Sequence, residues 1–263
     1  MAKLRDDNNA DLPYLRPLDL RAAAFRQLDA SGGMGATGDK GRQAAHGTRN
    51  SKADAIPATK DTTLRIMTYN VHACIGMDGR LSPARIARVI AQSRVDVVAL
   101  QELDVRRQRT GQIDQAREIA HLLEMEFHFH PAWSLQEEQY GNALLSRHPL
   151  RLVRSGQLPG LDRRPRLEPR GALWVELTVD GHCVQLLNTH LGLRAGERLA
   201  QVETLLGPEW LGSGECRGPV VLCGDFNSPP RSRPYAQLCR RMRDVQCEAS
   251  GHRPLSTWLI LQR

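Results

Sequence analysis

Apolar and polar positions alternate along Leu64-Arg-Ile-Met-Thr-Tyr-Asn-Val-His72, the two-residue period of a half-buried strand, and the run ends in Asn70 and His72. The period then lengthens: Ser82-Pro83 supplies an N-cap and a first-turn proline, and Ile86, Val89 and Ile90 form the apolar stripe of a helix. Val95 to Leu100 predicts a buried strand with Gln101 and Glu102 at its carboxyl end. Asp114 predicts the cap of a second helix, with Ala116, Ile119, Ala120 and Leu123 inward, before the Phe127-His-Phe-His130 segment and a strand from Asn142 to Ser146. From Gln157 to Arg170 the chain reads as a loop, with Arg163, Arg164, Arg166 and Arg170 among prolines.

Alternation returns from Leu173 to Val179 and from Cys183 to Thr189, two strands joined by Asp180-Gly181, a strong two-residue hairpin signal. The second strand exits at Asn188, Thr189 and His190, and Glu197 to Leu206 predicts a helix with Leu199, Val202, Leu205 and Leu206 apolar. Val220-Val-Leu-Cys223 is a short buried strand that delivers Asp225 and Asn227 where it stops, with Gly224 leaving room for close backbone approach. Mixed strands, antiparallel pairs and interleaved helices predict an α/β fold, a two-sheet α/β sandwich with outer helices.

Periodicity is nearly absent from residues 1–62, which are polar and glycine-rich and are expected to be a disordered or weakly ordered extension. The exception is Leu18 to Leu28, where Leu20, Ala24 and Leu28 share one face of a short predicted helix. Residues 63–263 are expected to form the folded domain.

The 263-residue chain is long enough for one large α/β core, and its 25% charged and 41% apolar residues are those of a soluble globular protein. No run approaches the roughly 20 apolar residues of a spanning helix, so the expected location is cytoplasmic, with peripheral contact to a membrane as a variant. Six cysteines without a Cys-x-x-Cys pair indicate reduced thiols. The net charge of +7 favours a polyanionic partner: a phosphate-ester substrate, an anionic membrane surface or nucleic acid. The chain is expected to act as a monomer.

Four strand ends thus present Asn70, Glu102, Asn188 with His190, and Asp225 with Asn227. Taken singly, each reads equally as turn vocabulary, Asp and Asn capping their own backbone. Taken together they supply hard oxygen ligands for Mg²⁺, a base for water, donors for phosphoryl oxygens and an imidazole, the parts of metal-assisted phosphoester hydrolysis.

Thr-Tyr-Asn-Val-His (68–72), Leu-Gln-Glu (100–102), Tyr-Gly-Asn-Ala-Leu-Leu-Ser (140–146), Glu-Pro-Arg-Gly-Ala-Leu (168–173), Asn-Thr-His-Leu (188–191) and Cys-Gly-Asp-Phe-Asn (223–227) resemble, in this order, the motifs of the endonuclease/exonuclease/phosphatase superfamily, the deoxyribonuclease I-like metal-dependent hydrolases. The resemblance implies that Glu102 is the principal Mg²⁺ ligand, with Asn70 beside it; Mn²⁺ is the implied substitute. It further implies that Asp225 activates the attacking water, Asn227 holds the phosphate and His190 donates to a phosphoryl oxygen or stabilises the pentavalent transition state. Asn142, Arg170 and Asn188 would contact substrate.

One part of the family pattern is absent: no adjacent Asp-His pair follows Asn227, and His252 sits in a loop-like Ser-Gly-His-Arg-Pro setting. The resemblance therefore implies a missing last core strand, a domain incomplete at its C-terminal side and reduced activity, with Leu259 to Leu261 as a makeshift edge strand. Phospholipid or another small phosphate ester is favoured as substrate over DNA, since aromatics for base stacking are scarce at 5%. A nuclease acting on DNA or RNA and a non-catalytic phosphate-binding pseudoenzyme stay open.

Overall fold

The computed structural model describes residues 63–161 and 167–245, together with the backbone of two further strands, Leu18–Arg21 and Trp258–Gln262. The strands and helices run β1 (Leu18–Arg21), β2 (Thr63–Asn70), α1 (Pro83–Gln92), β3 (Val97–Val105), α2 (Gln115–Leu123), β4 (Glu126–Leu135), β5 (Glu138–Ser146), β6 (Leu150–Leu158), β7 (Arg170–Val179), β8 (His182–His190), α3 (Ala195–Leu205), β9 (Val220–Asp225), α4 (Arg233–Leu238), β10 (Arg243–Asp244) and β11 (Trp258–Gln262). They form two mixed sheets, ordered β1-β2-β3-β5-β4 and β10-β11-β9-β8-β7-β6. The expected α/β sandwich is what the chain forms.

Strand alternation builds three apolar layers. Leu64, Ile66, Val97, Ala99, Leu144, Leu186, Val221 and Cys223 point between the sheets. Met67, Val98, Leu100 and Leu145 point outward beneath α1 and α2, and Trp174, Leu187 and Leu222 do so on the other sheet, against α3 and α4. Both expected caps form: Ser82 Oγ accepts from Arg85 N–H, and Asp114 Oδ1 accepts from Arg117 N–H. Asp180 and Gly181 turn the β7–β8 hairpin with φ of 48° and 81°.

Several sequence expectations need correction. Residues Leu18–Arg21 are a strand paired antiparallel with β2, not the start of a helix, because the open edge of β2 offers a full set of backbone partners that a short isolated helix lacks. The rest of the extension lies outside the described residues, as do Arg163, Arg164, Arg166 and His252. β6 and α4 were not anticipated, and Gln157 and Leu158 belong to β6 rather than to a loop. Leu259 to Leu261, expected as a makeshift edge strand, lie in β11, which pairs with β9 on one side and with the two-residue β10 on the other and is therefore no edge.

The backbones of β8 and β9 approach closely. A Cβ on Gly224, whose φ is 145°, would meet Thr189 O at 1.8 Å, so only glycine lets His190 and Asp225 pair side by side on these parallel strands. Gly224→Ala is expected to cost about 2 kcal/mol or more, measured as a lowered urea midpoint.

Candidate active site

The inner rows of β2, β8 and β9 end at one place. Asn70, His190 and Asp225 close these rows and are 3%, 5% and 5% exposed. Glu102 joins them through an irregularity in β3: the register with β5 shifts between Leu100 and Leu103, and Glu102 takes a left-handed φ of 62°. A bulge of this kind re-aims a side chain, and here it turns the carboxylate to the mouth, where it stays 22% exposed.

Asn70 is the hinge of the cluster. Its Nδ2 donates to Glu102 Oε1 at 2.6 Å and to Asp225 Oδ2 at 3.2 Å, while its Oδ1 accepts from His72 N–H at 3.1 Å. Residues His72, Ala73 and Cys74 are all left-handed, with φ of 47°, 52° and 58°, and this turn presents the His72 N–H to the amide oxygen. The Asn70 nitrogen thus bridges the two carboxylates, and its oxygen, with one lone pair engaged by His72 N–H, keeps a second. Glu102 with the Asn70 oxygen suits a hard divalent cation that keeps several waters and takes one or two carboxylates. No cluster of three or more His, Cys, Asp or Glu that could hold a metal occurs among the described residues.

Arg170, 4% exposed, places Nη1 3.0 Å from His190 Nδ1 and Nη2 3.3 Å from Glu168. A guanidinium only donates, so His190 Nδ1 accepts and the neutral ring carries its proton on Nε2. That nitrogen lies 3.0 Å from Asn227 Nδ2, whose own identity is fixed because it also donates to Leu191 O at 2.9 Å. Two nitrogens with hydrogens to give therefore face each other, and the Asp225 Oδ2 atom lies 3.8 Å from His190 Nε2. Burial, followed by the charges of Arg170 and His72, pushes the His190 imidazole down to about 3. Burial also raises the Asp225 carboxyl, against hydrogen bonds from Asn227 N–H and Asn70.

The layer beneath is polar but structural. Asn188 is fully buried, donating to Leu100 O and Ala143 O of the opposite sheet at 2.9 and 2.8 Å and accepting from Gln101 Nε2 at 2.7 Å. For the contact with substrate expected of Asn188 no amide hydrogen is left over: one strand step below His190, both are committed to the Leu100 and Ala143 carbonyls of β3 and β5. Asn142, 2% exposed, donates to Gly171 O at 3.2 Å.

The sequence gave no warning of the walls. Gln115 is fully buried at the start of α2, donating to Ala73 O at 2.7 Å and accepting from Asp104 N–H at 2.9 Å, so it locks the left-handed turn to the exit of β3. A cavity of about 710 Å³, bounded by Glu102, has Arg107, Arg109, Trp133, Tyr140 and Glu168 in its lining. The Arg107 guanidinium covers the Trp133 ring, 4.7 Å from its centroid. His72, visible at its strand exit, places Nδ1 3.1 Å from Glu102 Oε2.

Residues 67–260 match the model of the Endonuclease/Exonuclease/phosphatase family. The chain belongs to this family. Its members are metal-dependent phosphoester hydrolases or nucleases. Among solved structures it is similar to an endonuclease/exonuclease/phosphatase from Beutenbergia cavernae (TM-score 0.57, 23% identity, 76% of this chain and 64% of that one). It is also similar to the human Nocturnin catalytic domain with bound sulfate anion (0.59, 21%, 78% and 83%) and to a mannosyl-6-phosphatase from Bacteroides thetaiotaomicron (0.59, 17%, 76% and 85%). The chain thus spans under two thirds of the Beutenbergia cavernae structure. No curated protein sequence matches it.

Two outcomes follow from this geometry. Asn188→Leu leaves the Leu100 and Ala143 carbonyls without their side-chain donors and is expected to lower stability by about 2–4 kcal/mol in urea unfolding. The His190 value in the folded chain lies below its unfolded value of about 6.5, so its contribution is present above that pH and is lost as pH falls toward 3. The raised Asp225 carboxyl has the opposite slope in the carboxylate range. The difference between wild type and His190→Gln cancels Asp225, and the variant is expected to lose less stability than wild type between pH 6.5 and 4.

Proposed function

We propose that the chain is a Mg²⁺-dependent hydrolase of small phosphate esters, with phospholipid headgroups favoured over DNA. The observation that carries this reading is the apposition of two nitrogens, His190 Nε2 and Asn227 Nδ2, 3.0 Å apart beside Asp225, the second of them spending one hydrogen on Leu191 O. A phosphoryl oxygen seated against both relieves their apposition, and charge that builds on it during attack strengthens both bonds. Glu102 would hold the cation with the Asn70 oxygen beside it; the cation, when bound, polarises the phosphoryl group and neutralises developing charge. Asp225, raised by burial, takes the proton of the attacking water. Arg170 keeps His190 in the donating tautomer, and Asn70 keeps Glu102 and Asp225 on one side of the phosphorus.

The substrate preference rests on shape and composition. Beside the cavity next to Glu102, the Trp133 face toward Arg107 is covered by the guanidinium, which takes it from base stacking. The mannosyl-6-phosphatase among the similar structures is named for a small phosphate ester. A non-catalytic phosphate binder that keeps Glu102, Asp225 and Asn227 is the second reading, since the same nitrogen pair would seat a phosphate without turnover.

The test is hydrolysis of bis(p-nitrophenyl) phosphate, inositol phosphates, a short-chain phospholipid and plasmid DNA, each with and without Mg²⁺. Turnover of the small esters is expected, with Glu102→Gln lowering kcat by about 100-fold or more and Asp225→Asn by about 100- to 10,000-fold. DNA cleavage alone would move the assignment to a nuclease. Mg²⁺-dependent binding of inorganic phosphate in calorimetry without any turnover would favour the non-catalytic reading.

A further inference from the structure

The loops that leave the site carry apolar side chains into solvent on rigid supports. Met77 is fully exposed and Ile75 is 40% exposed on the loop after β2; Leu193 is 68% exposed on the loop after β8. Isolated exposed apolar residues are ordinary, but these three sit on the exits of the two strands that supply Asn70 and His190.

The Met77 loop is pinned, not slack. Ile75 and Leu81 form a β-bridge, Gly76 N–H donates to Arg80 O at 3.1 Å, and Gly79 N–H donates to Gly76 O at 2.8 Å. Arg85 clamps its base through Asp78 Oδ2 at 2.9 Å and Arg80 O at 2.8 Å. A loop held this firmly keeps Met77 from folding back on the protein and forgoes its burial. The structure assigns Met77 to a surface whose other side is supplied by something else.

Charge next to these residues selects the occupant. Arg194 follows Leu193 directly, and Arg231 and Arg233 follow Asn227 on the loop after β9; all three are exposed. None of them has an acidic partner among the described residues. Apolar tips and exposed guanidiniums on the segments that leave the site strands match an anionic phospholipid bilayer: the tips enter the interface and the arginines meet the headgroup phosphates. A nucleic acid would use the arginines and could take Met77 and Leu193 as wedges between base steps, an occupant that the DNA arm of the test distinguishes.

We propose that these three loops dock the domain onto anionic membranes with the site facing the headgroups. This rests on the phosphoester reading above only for the orientation, so binding is measured without turnover. The full-length chain is sedimented with phosphatidylglycerol vesicles and with phosphatidylcholine vesicles over a range of salt. Preferential binding to the anionic vesicles, weakening as salt rises, is expected. Met77→Asp combined with Leu193→Asp should lower the partition coefficient tenfold or more, and Arg194→Glu should lower it while flattening the salt dependence.

Leu122→Asp, on the outer helix α2, is the control and should leave binding and soluble-ester hydrolysis unchanged. Met77→Asp alone, at a fully exposed position, guards against a folding defect in the double variant. Absence of vesicle binding, equal binding by the double variant, or retention of duplex DNA in place of vesicles would each overturn the docking surface. A chain that hydrolyses soluble esters yet ignores vesicles overturns docking alone; one that binds vesicles as described but hydrolyses nothing overturns the catalytic reading alone.

Discussion

Asn188 is one residue from each of two sheets' worth of demands: it leaves β8, crosses the interface and gives both amide hydrogens to carbonyls of β3 and β5. Those carbonyls lie where β3 departs from regular pairing, so a buried backbone that would otherwise be unsatisfied at the bulge is completed from the opposite sheet. The bulge is what turns Glu102 to the mouth. Without the cross-sheet amide, the irregularity that aims the carboxylate would carry the full cost of orphaned polar groups. The relative position of the sheets and the aim of Glu102 are thus fixed by one side chain.

Above that layer, order is passed upward through single hydrogen bonds. Gln115 holds the left-handed turn, the turn offers the His72 N–H, and this N–H orients the Asn70 amide so that its nitrogen faces Glu102 and Asp225. Arg170 acts likewise on His190, setting which ring nitrogen carries the proton. Under the proposed function, Glu102, Asp225 and His190 are thus oriented by the buried neighbours Asn70 and Arg170, the arrangement preorganisation requires, since water there would otherwise have to reorganise as charge develops.

Much of this was legible because the fold obeys a two-residue period up to the mouth. Leu64, Ile66 and Asn70 share one face of β2, as do Leu186, Asn188 and His190 on β8 and Val221, Cys223 and Asp225 on β9. The polar ends of alternating runs therefore had to meet if the sheets packed. What period alone could not separate was depth: Asn188 and His190 have the same parity, yet one is a bolt and the other faces the mouth. Nor could local pattern reveal β1, a strand only because the edge of β2 accepts it, or Gln115, whose partners Ala73 and Asp104 lie on other elements. These assignments depend on tertiary partners, and a single sequence contains no local trace of them.

Asp225 and Asn227 show why reading such residues as turn caps is not a competing account. Asp225 Oδ1 does accept from Asn227 N–H at 3.0 Å, an Asx turn of the kind the tetrapeptide predicts. The turn bends Asn227 into a left-handed φ of 45°, which asparagine tolerates better than most residues, and that bend swings its amide against His190. The other carboxylate oxygen, Oδ2, is left for Asn70 and the open side of the site. One oxygen therefore shapes the backbone while the other faces the chemistry, so the local cap is the means by which the strand end becomes a site. Removing the cap would displace the donor pair even if every catalytic group were retained.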